Sequence, residues 1–138
     1  NLRQLQFLPF PGLAAKRATD GDIESMDAVL RRAEDPHYSG SPVQADYDFH
    51  YSLAASAKNP VLQDMLKEID DRLHSGRSTT LSFPKGGQKA LRAHRAILDA
   101  VMARNEQAAR DAMRQHLSEV MSAQKRILSL KKQLDVSG

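Results

Sequence analysis

Apolar residues recur at spacings of three and four along most of the chain, and no stretch alternates apolar with polar positions as a half-buried strand would. The pattern predicts a first short helix over Leu13–Ala18, with Thr19 and Asp20 opening a second. That second helix, about Asp22–Arg32, places Ile23, Met26, Val29 and Leu30 on one face and stops at the turn Asp35-Pro36-His37. Ser41-Pro42-Val43-Gln44 has the form of a capping box with proline at the first helical position, opening a third helix that runs to Ala57. Asn59-Pro60 ends it and caps a fourth helix, striped by Val61, Leu62, Met65, Leu66, Ile69 and Leu73 and closed by Ser75-Gly76. Residues 77–87 read as the longest loop, with Gly86-Gly87 a flexible part of it. A fifth helix, Gln88–Ala103, carries Leu91, Ile97, Leu98, Val101 and Met102 on one face. Asn105 caps a last helix from Glu106 to Leu134, which at about 1.5 Å per residue is nearly twice as long as its neighbours and must overhang or bend. Residues 1–12 are apolar but broken by Pro9, Pro11 and Gly12, which predicts a lead-in segment and a turn rather than helix. The fold class expected is all-α, an antiparallel bundle of about six helices.

In such a bundle the informative residues are ionisable ones inside an apolar stripe, because burying them costs energy unless something pairs with them. At about 100° per residue each can be placed on its helix. On the third helix the stripe is Val43, Tyr47, Leu53, Ala54 and Ala57; His50 falls at its centre and Asp46, one turn earlier, inside it, while Asp48 points away. On the fifth, His94 lies amid Leu91, Ile97, Leu98 and Val101; on the last, His116 lies with Ala109, Ala112, Met113 and Val120. His37 falls in a turn and His74 on a polar face. A single inward histidine is usually a hydrogen-bonded core residue. Three from separate helices, with an aspartate at i, i+4 from one of them, would need separate acceptors in a mostly aliphatic core, and one divalent cation satisfies all four. Asp46, His50, His94 and His116 are therefore the candidate metal ligands. Nitrogen and oxygen donors without sulfur suit zinc, nickel, iron, manganese or copper and do not select among them.

Composition removes other classes. The 138 residues contain no cysteine, which excludes a disulfide scaffold, a thiolate metal site and a cysteine nucleophile. No apolar run reaches the roughly 20 residues of a membrane helix and no signal peptide opens the chain, so a cytoplasmic protein without membrane contact is expected. A net charge of +3 is too small and too evenly spread to announce nucleic acid. If the metal keeps open positions, a small anion can complete its shell, and arginine is the side chain suited to a carboxylate. Arg72, at the edge of the fourth stripe, is the first candidate, with Arg17 and Arg77 behind it.

The motif Asp46-Tyr47-Asp48-Phe49-His50, followed by Ala54 and Lys58-Asn59-Pro60, resembles the Asp-x-x-Phe-His…Asn-Pro signature of the FadR C-terminal (FCD) domain of GntR-type transcription regulators. His94-Arg95-Ala96-Ile97-Leu98-Asp99-Ala100, then Ala108-Ala109, Met113 and His116-Leu117, is similar to that family's closing pattern, and Leu13–Thr19 to its opening helix. The resemblance implies a helical bundle that binds a divalent metal, zinc or nickel foremost, through Asp46, His50, His94 and His116. It also implies a small carboxylate effector and a homodimer; Arg72, Arg17 and Asn59 are the candidate contacts for that effector. On this reading residues 1–12 are a remnant of a linker or first helix. Residues 13–138 form the metal-binding, effector-binding and dimerisation domain, and the winged helix-turn-helix that contacts operator DNA lies outside this chain. The alternative is a small helical metalloenzyme on the same four ligands. Against it, no inward residue is left over as a general base.

Overall fold

The computed structural model describes residues 10–65, 67–68, 81 and 86–137, and among these helix is the only regular structure. Helix α1 spans Phe10–Arg17, α2 Asp20–Glu34 and α3 Pro42–Ser56. Residues 60–65 form α4, followed by α5 at Gly86–Met102 and α6 at Glu106–Ser137. The all-α class is as expected. No described helix is long and apolar enough to cross a membrane.

Helix α1 sits at the centre and touches α3, α5 and α6, while α2 packs on α3 and α5, and α5 on α6. Its sequence explains the position. Ala14, Ala15 and Ala18 are buried, and such small side chains let three helices approach one short one. Met26, Leu30, Leu53, Ile97, Leu98, Val101 and Met113 complete the apolar core around it. Helix α1 begins at Phe10, earlier than expected, with Pro11 and Gly12 inside its first turn. The N–H groups of a first turn have no intrahelical acceptor, so Pro11 removes nothing the helix uses. The expected turn at that point does not form.

The caps differ from expectation in an instructive way. Ser41 Oγ accepts from the N–H groups of Val43 and Gln44 at 3.2 and 3.4 Å, but Gln44 Nε2 donates to Asp48 Oδ1 at 2.8 Å rather than closing the box. The complete reciprocal box is at Thr19, whose Oγ1 accepts from Asp22 N at 3.1 Å while its own N–H donates to Asp22 Oδ2 at 2.9 Å. Aspartate at the third helical position does there what the sequence rule assigns to glutamate or glutamine. The turn after α2 forms as predicted, with His37 N donating to Asp35 Oδ1 at 2.8 Å and Tyr38 N to Asp35 O at 2.9 Å.

Gly86-Gly87 open α5 as helix instead of belonging to a loop. At the other end α5 stops on Arg104, which holds a left-handed φ of 58° while Arg104 N and Asn105 N donate to the carbonyls of Val101 and Ala100, both at 3.0 Å. Met102 lies in that closing turn and is 49% exposed, and Val61 is 65% exposed, so neither belongs to the buried face expected of it. The Arg104 guanidinium donates to the carbonyls of Ala18 and Ala15 at the end of α1. Arg17 does the same for Ala57 at the end of α3 (3.2 Å). Each cation meets the carbonyl end of a neighbouring helix, where both hydrogen bonding and the helix dipole favour it.

The last helix has 32 residues and is about 48 Å long at about 1.5 Å per residue. Its first half is built into the bundle through Ala109, Met113, His116 and Leu117. Beyond it Ile127 is buried, while Leu128, Leu130, Leu134 and Val136 are exposed. The expected overhang is there.

Candidate metal centre

Helix α3 supplies two of the four polar residues from one face. Asp46 and His50 are one turn apart, and the residues buried with them are Phe49, Leu53, Ala54 and Ser56. The buried face is thus centred on positions 46, 49, 50, 53 and 57, rotated from the stripe expected through Val43 and Tyr47. Tyr47 lies on the flank, half-buried, and stacks on exposed Tyr51 with ring centres 5.8 Å apart. Phe49 and Ser56 are the residues that the sequence reading left out. The 46-49-50-53-57 spacing is a helical stripe, but so is the one through Val43 and Tyr47, and the helices packed against α3 decide between them. Ser56 carried no such signal; its buried hydroxyl is satisfied locally by donating to Leu53 O at 2.6 Å.

His94 projects from the middle of α5 and His116 from α6, toward the same point. All four residues are buried, His94 most of all at 2% exposure. One donor atom from each of Asp46, His50, His94 and His116 lies within 4.8 Å of every other. Asp46 Oδ1 is 3.1 Å from His94 Nε2 and 3.5 Å from His50 Nε2. The rings of His50 and His116 lie nearly parallel with centres 5.5 Å apart, and His94 stands across both, at 87° and 82°. Phe49 completes the group, stacked on His94 with centres 4.5 Å apart and planes 7° from parallel.

Burial pushes the Asp46 carboxyl upward, but the adjacent His50 and His94 imidazoles outweigh it and hold the group well below the usual carboxylate range. The aspartate is therefore an anion at neutral pH, surrounded by ring nitrogens inside an apolar bundle. Three imidazoles and one carboxylate, converging without sulfur, form a donor set fitted to a borderline divalent cation. The cluster could bind a metal. The sequence-predicted ligands are brought together as a complete set.

The predicted effector contacts are placed less favourably. Arg17 and Asn59 both serve the turn between α3 and α4: Arg17 binds Ala57 O, and Asn59 Oδ1 accepts from the N–H groups of Val61 and Leu62 at 3.1 and 3.3 Å. Arg72 and Arg77 lie outside the described residues, as do His74 and the Leu66, Ile69 and Leu73 positions of the fourth stripe. A further arginine, Arg95, stands next to His94 and was not among the predicted site residues. It donates to Asp27 Oδ1 at 2.7 Å and to Glu34 Oε1 at 2.6 Å, tying α5 to α2. Its guanidinium also holds the Asp27 carboxyl below its ordinary value. Both partners are more than sixty residues away in sequence, so no local pattern could announce them.

Comparison with known proteins bears on this site. The FCD domain family matches residues 12–119, a span containing all four cluster residues. An Escherichia coli (strain K12) protein described as "Putative L-lactate dehydrogenase operon regulatory protein" is 34% identical over 119 residues, covering 82% of this chain and 45% of that protein. The HTH-type transcriptional regulator LutR of Bacillus subtilis (strain 168) is 27% identical over 125 residues, 86% of this chain and 57% of that protein. The Uxu operon regulator of Haemophilus influenzae is 29% identical over 128 residues, 86% of this chain and 47% of its own length. The chain thus spans about half the length of the curated relatives it matches. Those relatives are regulators, not enzymes, which decides against the metalloenzyme alternative. The chain belongs to the FCD domain family of GntR-type transcription regulators.

Proposed function

We propose that this chain is the effector-sensing part of a transcription regulator, and that it binds one divalent metal, zinc or nickel, through Asp46, His50, His94 and His116. The observation that carries the reading is the convergence of these four buried donors from three helices within 4.8 Å. Neutral imidazoles and one carboxylate would leave a bound divalent ion with net positive charge, and that charge favours a small anion in the remaining coordination positions. A carboxylate metabolite is the effector class this suits. The name of the Escherichia coli relative supports it, since an L-lactate dehydrogenase acts on a small carboxylate. Arg72, Arg17 and Asn59 are the contacts proposed for that ligand. The functional unit is a homodimer, for which the exposed Leu128, Leu130 and Leu134 of α6 offer apolar surface. Residues 13–138 constitute this sensing and dimerising domain, and operator DNA is read by a winged helix-turn-helix elsewhere in the full-length regulator.

The test is elemental analysis of the purified chain combined with thermal-shift screening of organic acids. About one metal per chain is expected in the wild type, with a sharp fall in His94→Ala. Acids that raise the melting temperature should cease to do so once the metal is stripped. Wild-type metal content in a protein with both His94 and His116 replaced by alanine would sink the proposal.

A further inference from the structure

Phe49 is fully buried, lies between Asp46 and His50 in sequence, and packs against the rings of His50 and His94 in space. Its ring is stacked on His94 from α5, with centres 4.5 Å apart and planes 7° from parallel, and stands edge-on to its neighbour His50 at 5.7 Å and 82°. His94 and His50 in turn meet at 87°, so the three rings form a corner in which Phe49 is the side that carries no donor atom. An imidazole on a single helix can turn about its Cβ–Cγ bond and swing its Nε2 away from a shared point. A ring packed flat against it opposes that rotation, because turning the imidazole would drive its edge into the aromatic face. The same packing leaves no room for water beside the ring, and water is the species that competes for a ligand position as a metal leaves.

We infer that Phe49 is a positioning residue of the metal site: by stacking on His94 and bracing His50 it fixes the direction of two ligand nitrogens and slows metal release. This rests on the metal reading above and extends it to a residue without a donor atom. Residues that orient metal ligands without binding the ion typically change affinity by about 10- to 100-fold when removed, usually through hydrogen bonds. Here aromatic packing takes that role.

The experiment uses Co(II) as probe, loaded into the wild type and into Phe49→Leu, Phe49→Tyr and the control Leu53→Ala. Leu53 is equally buried on the same face of α3, one turn on from Phe49, so its truncation loosens the core while the aromatic ring stays in place. Two quantities are read: the visible Co(II) spectrum, and the rate at which a chelator removes the metal. Phe49→Leu should release cobalt about tenfold faster, on the scale of lost ligand orientation, and shift the absorption bands. Phe49→Tyr keeps the flat ring, so it should stay near the wild type in both readouts even if its buried hydroxyl lowers the melting temperature. Unchanged release and spectrum in Phe49→Leu overturn the inference, and so does an equal acceleration in Leu53→Ala, which would make it a matter of general core looseness. If Phe49→Leu does not fold, Phe49→Met takes its place with the same two outcomes. A wild type that takes up neither cobalt nor zinc fails the metal proposal itself and removes this inference with it. Metal in the wild type with an indifferent Phe49 overturns this inference alone.

Discussion

Among the described residues two junctions stand out in the interior of this bundle, and they are built on opposite principles. Around α1 and α2 the contacts are apolar: Ala14 and Ala15 lie among helices that bring in Leu53, Ile97 and Val101, and Met26 and Leu30 of α2 belong to the same core. Where α3 faces α5 and α6, the space is filled instead by Asp46, His50, His94 and His116. The first junction is held by apolar area removed from water and close packing, which need no partner from solution and depend little on pH. The second holds a buried anion among imidazoles, a set whose balance changes with every proton or cation it takes up. A helical bundle needs only the first kind to fold. The second makes the interior responsive to its surroundings, and it is tolerated because the first supplies the stability it lacks.

The sharpest way to separate the two is a large-to-small change in the dry junction. Met26→Ala, at a position with no exposure, should cost about 2–5 kcal/mol in denaturant unfolding. The loss should be the same with and without a chelator. If chelation alters it substantially, the two junctions are coupled and the contrast fails.

A smaller effect is expected from the polar junction. With free metal at about a hundred times its dissociation constant, the metal-loaded protein should be more stable than the stripped one by about 2.7 kcal/mol. Metal binding needs deprotonated imidazoles, so that advantage should fade with falling pH in thermal melts. Asp46 acts in a different window. Its folded carboxyl is held well below the ordinary 3.8, so the stability it contributes is present above that value and is lost only as the pH falls through its lowered folded value. Metal loss and acid unfolding should therefore be two separate transitions. A single transition, with metal and fold lost together, would show that the bundle cannot stand on its dry junction alone.

The smallest effect tests whether helix ends matter equally on both sides of the molecule. Thr19 makes the full reciprocal cap of α2, and Ser41 makes half of one on α3, the helix that carries Asp46 and His50. Thr19→Ala should cost about 1 kcal/mol, toward the middle of the range for caps, and Ser41→Ala less. The bond from Thr19 N to Asp22 survives in the alanine variant, so equal losses in chemical denaturation would mean that closing the box does not strengthen the bond accepted by the Thr19 hydroxyl.

Periodicity and caps were enough to place the helices, because spacing and end chemistry are local properties of the chain. They also sent His50, His94 and His116 inward, since an imidazole in an apolar stripe can only follow its stripe. Details that turn on neighbours escaped local reading. Pro11 entered α1 because the first turn tolerates it, and Gly86 opened α5 although it has the composition of a loop. The rotation of α3 that buries Phe49 in place of Tyr47 depends on which helices lie against that face. The same holds for Arg95, whose partners Asp27 and Glu34 come from another helix. The sequence by itself determined that this is a helical chain with four ionisable residues on apolar faces, and it carried the family signature that names them. Only the tertiary structure decided that the four meet within 4.8 Å, with a phenylalanine stacked behind one of them. The physical reason is that a stripe fixes the direction of a side chain from its own helix axis, whereas a site depends on the distance between axes, and that distance is set by the small residues of α1 and the packing of all the helices around it.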